Sequence, residues 1–195
     1  MDRDTLLAFV RFHAWANDRI LTTAAGLSDA EFRGAANLDH GSAFTTLRHL
    51  VDVDWSWREL CIGNDVGETY VWDHGFVLDD LPALHSFCLE EDVRLRRYVE
   101  SLDEAELAES LAMSSDFAAP RWLVLAHVVN HGTQHRSELA RYLTECGHSP
   151  GDLELLDALE LRWPGAAVCR PPPWSLSPSG RRRSCLSTSS AGPRR

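Results

Sequence analysis

The chain has 195 residues, a formal net charge of −10 and 44% hydrophobic residues, which suits one domain with a buried core. No apolar run reaches the ~20 residues of a membrane-spanning helix. The acidic start, Met1-Asp2-Arg3-Asp4, lacks the basic region of a signal peptide. The sequence therefore predicts a cytoplasmic protein that does not bind membranes.

The charge is distributed unevenly along the chain. All 29 acidic residues lie within residues 1–164, whereas six of the 19 basic residues, all of them arginines, lie after residue 164. Because an acidic body repels phosphate backbones, we expect no nucleic-acid-binding domain. The five cysteines form no CxxC pair, which indicates free thiols in a reducing compartment.

Helical signals dominate residues 1–163. Apolar residues recur at three- and four-residue intervals in four long segments, which predict helices at about 2–25, 43–62, 79–101 and 120–147. Capping signals predict short helical turns after Ser28 and Ser101, and a short last helix is expected at about 152–161. The sequence therefore predicts an all-α fold, an antiparallel four-helix bundle with short connecting helices.

Residues 164–195 differ in composition from this predicted domain at 1–163. They contain six of the nine prolines, many serines and the run Arg181-Arg182-Arg183. Such a segment buries too little apolar surface to offset the entropy lost on ordering, so we predict a disordered tail. Its basic charge would allow contact with nucleic acid or an anionic surface. We favour the alternative, an extension without a selected role.

Three of the nine histidines, His127, His131 and His135, recur at four-residue intervals in the last long helix. Side chains four residues apart lie one turn apart on the same face, so two such imidazoles can bind one metal ion. Residues eight apart are separated by a rise of ~12 Å, which is too far for metal–nitrogen bonds of ~2.0–2.1 Å. We therefore expect His131 and His135 to be ligands and His127 to support the site or belong to the core.

A catalytic metal site of the zinc type needs a third protein ligand and one open position. His13 in the first long helix and His49 in the second both lie on plausible inner faces, and both are candidates.

Four further residues are candidates for contacts around the ligands, namely Asn17, Asp52, His127 and Glu138. Asp52 follows His49 by three positions, and Glu138 follows His135 by three. A carboxylate that hydrogen-bonds to a ligand histidine fixes its tautomer. The alternative for these acids is an ordinary solvated helix face.

Four segments within residues 1 to about 163 carry a shared pattern. They are Phe12-His13-Ala14-Trp15-Ala16-Asn17, Leu47-Arg48-His49-Leu50, Asn130-His131-Gly132-Thr133-Gln134-His135-Arg136 and Cys146-Gly147-His148-Ser149-Pro150-Gly151-Asp152-Leu153. Their order and spacing resemble those of the DinB/YfiT-like family of metalloenzymes. The resemblance implies a four-helix bundle, often a homodimer, in which a divalent metal is held by His49, His131 and His135.

The same resemblance implies a class of function. Some members resemble thiol-dependent S-transferases that use bacillithiol or mycothiol, and one branch is a mycothiol-dependent maleylpyruvate isomerase. We therefore expect a metal-dependent transferase or hydrolase-like enzyme with a small-molecule substrate, and a low-molecular-weight thiol as a candidate partner. Three imidazoles suit Zn, Ni, Fe or Cu. Zn or Ni is the expected ion, with Fe or Mn as alternatives, and no catalytic residue is assigned.

Two other interpretations stay open. The bundle could be a non-enzymatic metal-binding protein associated with stress or DNA damage, or the histidines could form a hydrogen-bonded core without metal. A further hypothesis concerns the predicted loop at 63–78. Its aromatic residues Tyr70, Trp72 and Phe76 would cover the mouth of the site.

Overall fold

In a computed structural model, residues 1–64, 66–113 and 116–160 are described, and they fold mainly into helices. The helices are α1 (Arg3–Ala24), α2 (Asp29–Arg33), α3 (Ala43–Ile62), α4 (Leu81–Ser101), α5 (Glu104–Ala108), α6 (Arg121–Glu145) and α7 (Leu155–Glu160), with a 3-10 turn at Val71–His74. Two short strands, β1 (Ser110–Ala112) and β2 (Ala118–Pro120), form an antiparallel hairpin. Each strand has three residues, too few to show as an alternating pattern. The predicted all-α class is confirmed.

Local capping signals account for where the helices begin and end. Ser28 accepts a hydrogen bond from the backbone N–H of Glu31, and the Glu31 carboxylate accepts one from the backbone N–H of Ser28. Three of the four long helices, α1, α3 and α4, also begin with a side-chain cap, and these caps are Asp2, Ser42 and Asp80. α3 ends at Gly63, whose φ of 92° favours glycine. The last helix begins at Leu155, three residues later than predicted.

The four long helices form a bundle in which two helices run in one direction and two run in the other. α1 packs against α4 and α6, and α3 packs against the same two helices. One apolar cluster joins the beginnings of α1 and α6 to the ends of α3 and α4, and a second cluster joins the opposite ends. α1 and α6 therefore run in one direction, and α3 and α4 run in the other. The predicted four-helix bundle is confirmed, with α1 and α6 as parallel neighbours.

A buried polar layer separates the two apolar clusters. Between the two clusters, the long helices place polar and charged side chains at buried positions. These are His13, Asn17, Asp54, Arg58, Glu91, Asp92, His135 and Arg136. Buried polar groups destabilise a fold unless they are hydrogen-bonded. The layer therefore has to be a connected network, and the candidate site lies at its edge.

Three smaller expectations concern membranes, thiols and the tail. Among the described residues, no helix is both long enough and apolar enough to cross a bilayer. Cys61, Cys88 and Cys146 are free thiols, as expected. The predicted tail at 164–195 lies outside the described residues.

Candidate metal centre

Three histidine side chains from α3 and α6 meet at one point. The Nε2 atom of His131 lies 3.1 Å from Nε2 of His49 and 3.1 Å from Nε2 of His135. Two nitrogen ligands, each ~2.0–2.1 Å from one tetrahedral ion, lie about 3.3 Å apart. The two Nε2–Nε2 distances from His131 therefore suit ligands of one divalent ion.

Hydrogen bonds between the imidazoles do not explain both contacts of His131. A neutral imidazole nitrogen either donates one proton or offers one lone pair. Because Nε2 of His131 faces two other Nε2 atoms, at most one of its contacts is an ordinary hydrogen bond. Within the described part of the chain, the buried Nδ1 atoms of His131 and His135 also have no hydrogen-bond partner. The donor set fits a cation better than it fits a self-contained polar core.

Burial keeps two of these imidazoles neutral. Desolvation, followed by repulsion from neighbouring histidines, lowers the pKa of His49 from 6.5 to about 4. Desolvation and the neighbouring His135 also lower the pKa of His131 to about 4. Since a histidine binds a metal ion in its neutral form, protons compete weakly for these two side chains at neutral pH.

A fourth histidine, His40, also belongs to this site, and the sequence gives no sign of it. It lies in the loop before α3, and its ring stacks on that of His49 with centroids 3.8 Å apart and an angle of 25° between the planes. Ring nitrogens of His40, His49 and His135 lie within 4.8 Å of one another. Desolvation, followed by repulsion from His135, lowers the pKa of His40.

Ring orientation distinguishes His40 from the other three histidines. An ion bound to an imidazole lies close to the plane of that ring, so two rings stacked face to face, as His40 and His49 are, cannot both direct a lone pair at one ion. The planes of His49, His131 and His135 are inclined to one another by 64° to 86°. His49, His131 and His135 therefore stay the candidate ligand set, and His40 covers one side of His49.

The carboxylate of Glu138 lies beside the outer nitrogen of His135. Its Oε2 atom is 3.6 Å from Nδ1 of His135 and accepts a hydrogen bond from the backbone N–H of Asp39 at 3.5 Å. At 3.6 Å this is a close electrostatic contact and not a hydrogen bond, so Glu138 is a candidate for the outer partner of His135. Glu138 also ties the loop that carries His40 to α6.

Asp52 has a different role from the one predicted. Its Oδ1 atom accepts a hydrogen bond from the backbone N–H of Val71 at 2.7 Å, and desolvation raises the pKa of this carboxyl. Asp52 therefore fastens the segment after α3 to the helix itself.

The aromatic residues of the loop at 63–78 pack on α3 and α4. The guanidinium carbon of Arg48 lies 3.8 Å from the ring centroid of Trp72, and Tyr70 stacks on Trp72 at 4.6 Å. Phe76 packs on Phe87 with ring centroids 4.9 Å apart. That this loop covers the three-histidine site stays a prediction.

His13, the other candidate for the third ligand, belongs to the buried polar layer. Its Nε2 atom lies 2.9 Å from Oδ2 of Asp54, and its Nδ1 atom lies 3.0 Å from Nη1 of Arg136. Because arginine only donates, Nδ1 of His13 accepts and Nε2 carries the proton that Asp54 accepts. Both ring nitrogens of His13 are engaged, so neither is available to an ion held by His131 and His135.

Asn17 connects three other members of this layer, Asp54, Asp92 and Arg136. Its amide nitrogen donates to Asp54 at 3.3 Å and to Asp92 at 3.2 Å, and its oxygen accepts from Arg136 at 2.7 Å. Desolvation and repulsion from Asp54 raise the pKa of Asp92 well above its usual range. Desolvation lowers the pKa of Arg136 to about 10, so Arg136 stays protonated at neutral pH. His13, Asp54 and Asp92 lie close enough to hold a cation, but Arg136 already supplies the positive charge there.

His127 lies one turn before His131 on α6, outside this ligand set. Its ring centroid is 6.0 Å from that of His131 and 5.3 Å from that of Trp57. His127 is therefore a neighbour of the site, and it faces away from the buried layer with an exposed side chain.

The fold and the site define a class: a helical bundle with a candidate divalent-metal centre formed by histidines from two of its long helices. The chain belongs to the DinB family, whose model matches residues 1–166. A comparison with curated proteins gives no significant match. The resemblance seen in the sequence is confirmed at the level of the family, and the histidine groups are compatible with a divalent metal ion.

Proposed function

We propose that this protein is a metal-dependent enzyme in which His49, His131 and His135 hold one divalent ion. In this proposal it transfers a low-molecular-weight thiol to an electrophilic small molecule or catalyses a hydrolase-like reaction. One observation carries it: Nε2 of His131 lies 3.1 Å from two other Nε2 atoms, and hydrogen bonds cannot satisfy both contacts.

The chain's own residues prepare this site for an ion. The depressed pKa values of His49 and His131 keep both imidazoles neutral. The carboxylate of Glu138 lies 3.6 Å from Nδ1 of His135, and the ring of His40 shields one face of His49. When bound, a divalent ion with three imidazole ligands has a position for water or a thiol and lowers its pKa.

In the transferase version, the proposed reaction joins sulfur to carbon. The thiol gives its proton to the solvent, and a sulfur electron pair forms the bond to the electrophilic carbon. The leaving group departs with the electrons of the bond that breaks. Bacillithiol and mycothiol are the thiols suggested by the family resemblance. In the hydrolase-like version, water takes the place of the thiol.

The ion, the location and the assembly complete the proposal. We expect Zn or Ni, with Fe or Mn as alternatives, because imidazole nitrogen suits several divalent metals and affinity alone does not select one. The protein would act in the cytoplasm as a homodimer, which light scattering of the purified chain would test.

Turnover assays with defined partners test the enzymatic function. Protein loaded with each of these metals is mixed with a panel of low-molecular-weight thiols and electrophilic acceptors, and the loss of free thiol is measured. We expect turnover that requires metal and thiol, that is lost in His131→Ala and that persists in His85→Ala. His85 is a matched control because its ring pairs with Asp18 at 2.8 Å, outside the ligand set.

Each other outcome of this assay has its own meaning. Product formation without thiol would support the hydrolase-like version. Metal binding without turnover across the panel would contradict the enzymatic proposal and would favour the non-enzymatic metal-binding alternative.

A further inference from the structure

An apolar pocket lies beside the three-histidine site, between α3, the β-hairpin and α6. It has a volume of about 340 Å³, and its lining includes Trp57, Phe117, Ala119, Leu123, Val124 and His127. Pockets that bind small molecules have volumes from about 300 Å³ upwards. The pocket is therefore large enough for one small organic group.

His127 connects this pocket to the candidate metal centre. It lines the pocket, and its ring meets that of Trp57 edge-on at 5.3 Å. On its other side its ring centroid lies 6.0 Å from that of the ligand histidine His131. His127 is thus the side chain that connects the lining of the pocket to the three-histidine site.

The chemistry of the lining selects for uncharged groups. Its named residues are aromatic or aliphatic apart from His127. Two of them are unusually open to solvent for their size, since Phe117 is 60% and Leu123 is 43% exposed. Covering such side chains with an apolar group is favourable because it removes apolar surface from water.

We propose that this pocket binds the alkyl or aryl part of the substrate whose reacting group lies at the three-histidine site. The inference rests on the proposed function and specifies its substrate class: a small molecule with a metal-directed polar end and an uncharged apolar end. A charged or strongly hydrated end would lose its solvation in this pocket without gaining a counter-charge.

A series of simple thiols tests this assignment without any turnover. Co²⁺-loaded protein is titrated with 1-alkanethiols from ethanethiol to hexanethiol, and binding is followed by the thiolate-to-cobalt absorption. Thiolates are good ligands for such ions, so the shortest thiol reports the metal site alone. We expect affinity to rise by about fourfold for each methylene that enters the pocket.

Two matched variants locate the effect. Leu123→Asn places an amide in the pocket, whereas Leu89→Asn makes the same change on α4, where Leu89 has a similar exposure of 45%. We expect Leu123→Asn to remove most of the chain-length dependence and to leave ethanethiol binding unchanged. Leu89→Asn should behave as the unchanged protein.

The outcomes separate the two proposals. If the protein takes up no Co²⁺, the metal site is absent and the proposed function fails, and if bound Co²⁺ gives no absorption change with ethanethiol, the thiol-transfer version of that function fails. If ethanethiol binds but affinity does not rise with chain length, the pocket assignment is overturned and the metal site stands. Chain-length dependence that persists in Leu123→Asn would also overturn the assignment.

Discussion

Gly132 and His13 pack so closely that a side chain at position 132 has no room. A Cβ atom on Gly132 would lie 2.7 Å from Cε1 of His13 and 2.5 Å from Nη1 of Arg136. The missing side chain lets the buried polar layer approach α6 directly beside the candidate ligand His131.

Gly132→Ala should therefore destabilise the fold although alanine favours helices. Overpacking lowers the free energy of unfolding by about 1–3 kcal/mol, and the better helix propensity of alanine offsets up to about 1 kcal/mol of this loss. We expect a net loss of about 1–2 kcal/mol in urea unfolding. Ser137→Ala, at an exposed position of the same helix, is the control. A Gly132→Ala protein as stable as the unchanged chain would show that His13 and Arg136 move aside freely.

The charges of the buried layer make unequal contributions. Arg136 is 2% exposed, and it compensates Asp54 and Asp92. Arg136→Met should cost about 3–5 kcal/mol, because removing one partner leaves a buried charge without compensation. Thermal or urea unfolding at neutral pH measures the loss.

Asp92→Asn is the informative comparison within the same layer. Since its surroundings raise the pKa of Asp92 well above the usual range, the neutral amide resembles the form that the fold favours. We expect Asp92→Asn to cost much less than Arg136→Met and less than Asp54→Asn. Equal losses for the two aspartate variants would contradict this assignment of charge.

Glu138 should influence metal binding through His135. We expect this carboxylate, with Oε2 3.6 Å from Nδ1 of His135, to become a hydrogen-bond partner of that nitrogen when the ring binds an ion. Glu138→Gln should weaken metal affinity by about 10- to 100-fold, the usual effect of losing such a partner. Competition with a metal chelator gives the affinity. Glu145→Gln on the same helix, where the carboxylate pairs with Arg141, should have no effect.

The depressed histidine pKa values predict a pH-dependent stability of the metal-free protein. His49 and His131 have folded pKa values of about 4, below their ordinary value of 6.5. As the pH falls from 6.5 to 4, the unfolded chain takes up protons that the folded chain does not. The free energy of unfolding therefore falls in this window, while above pH 6.5 the two side chains cause no change.

The double variant His49→Gln/His131→Gln isolates this contribution. Carboxyls with raised pKa values, such as that of Asp92, act in the opposite direction but are common to both proteins. We expect the unchanged protein to lose stability more steeply than the double variant between pH 6.5 and 4. Parallel curves across this window would show that the two imidazoles titrate normally.

The parts of the molecule that local chemistry determines were predictable from the sequence. The helix caps at Ser28 and Ser42 and the helix end at Gly63 depend only on residues close by in the sequence. They lie where the apolar pattern indicates that helices begin and end. The pair His131 and His135 follows from helix geometry alone. His40 was not predictable, because only the fold brings this loop residue against His49.

The buried polar layer did leave a signal. On α3, Asp54 and Arg58 continue the spacing of Leu47 and Val51, so two charged residues occupy positions of the apolar stripe. Such interruptions indicate buried, partnered charges. Which helices supply the partners depends on the order in which the long helices pack, and periodicity does not contain that order.

The metal content of the purified protein tests the central claim most directly. After gentle purification and loading, we expect about one divalent ion per chain in the unchanged protein and in His85→Ala. We expect less than ~0.3 ions per chain in His49→Ala and in His131→Ala, because each loses one of three ligands. Full metal content in these two ligand variants, or none in the unchanged protein, would contradict a metal centre formed by His49, His131 and His135.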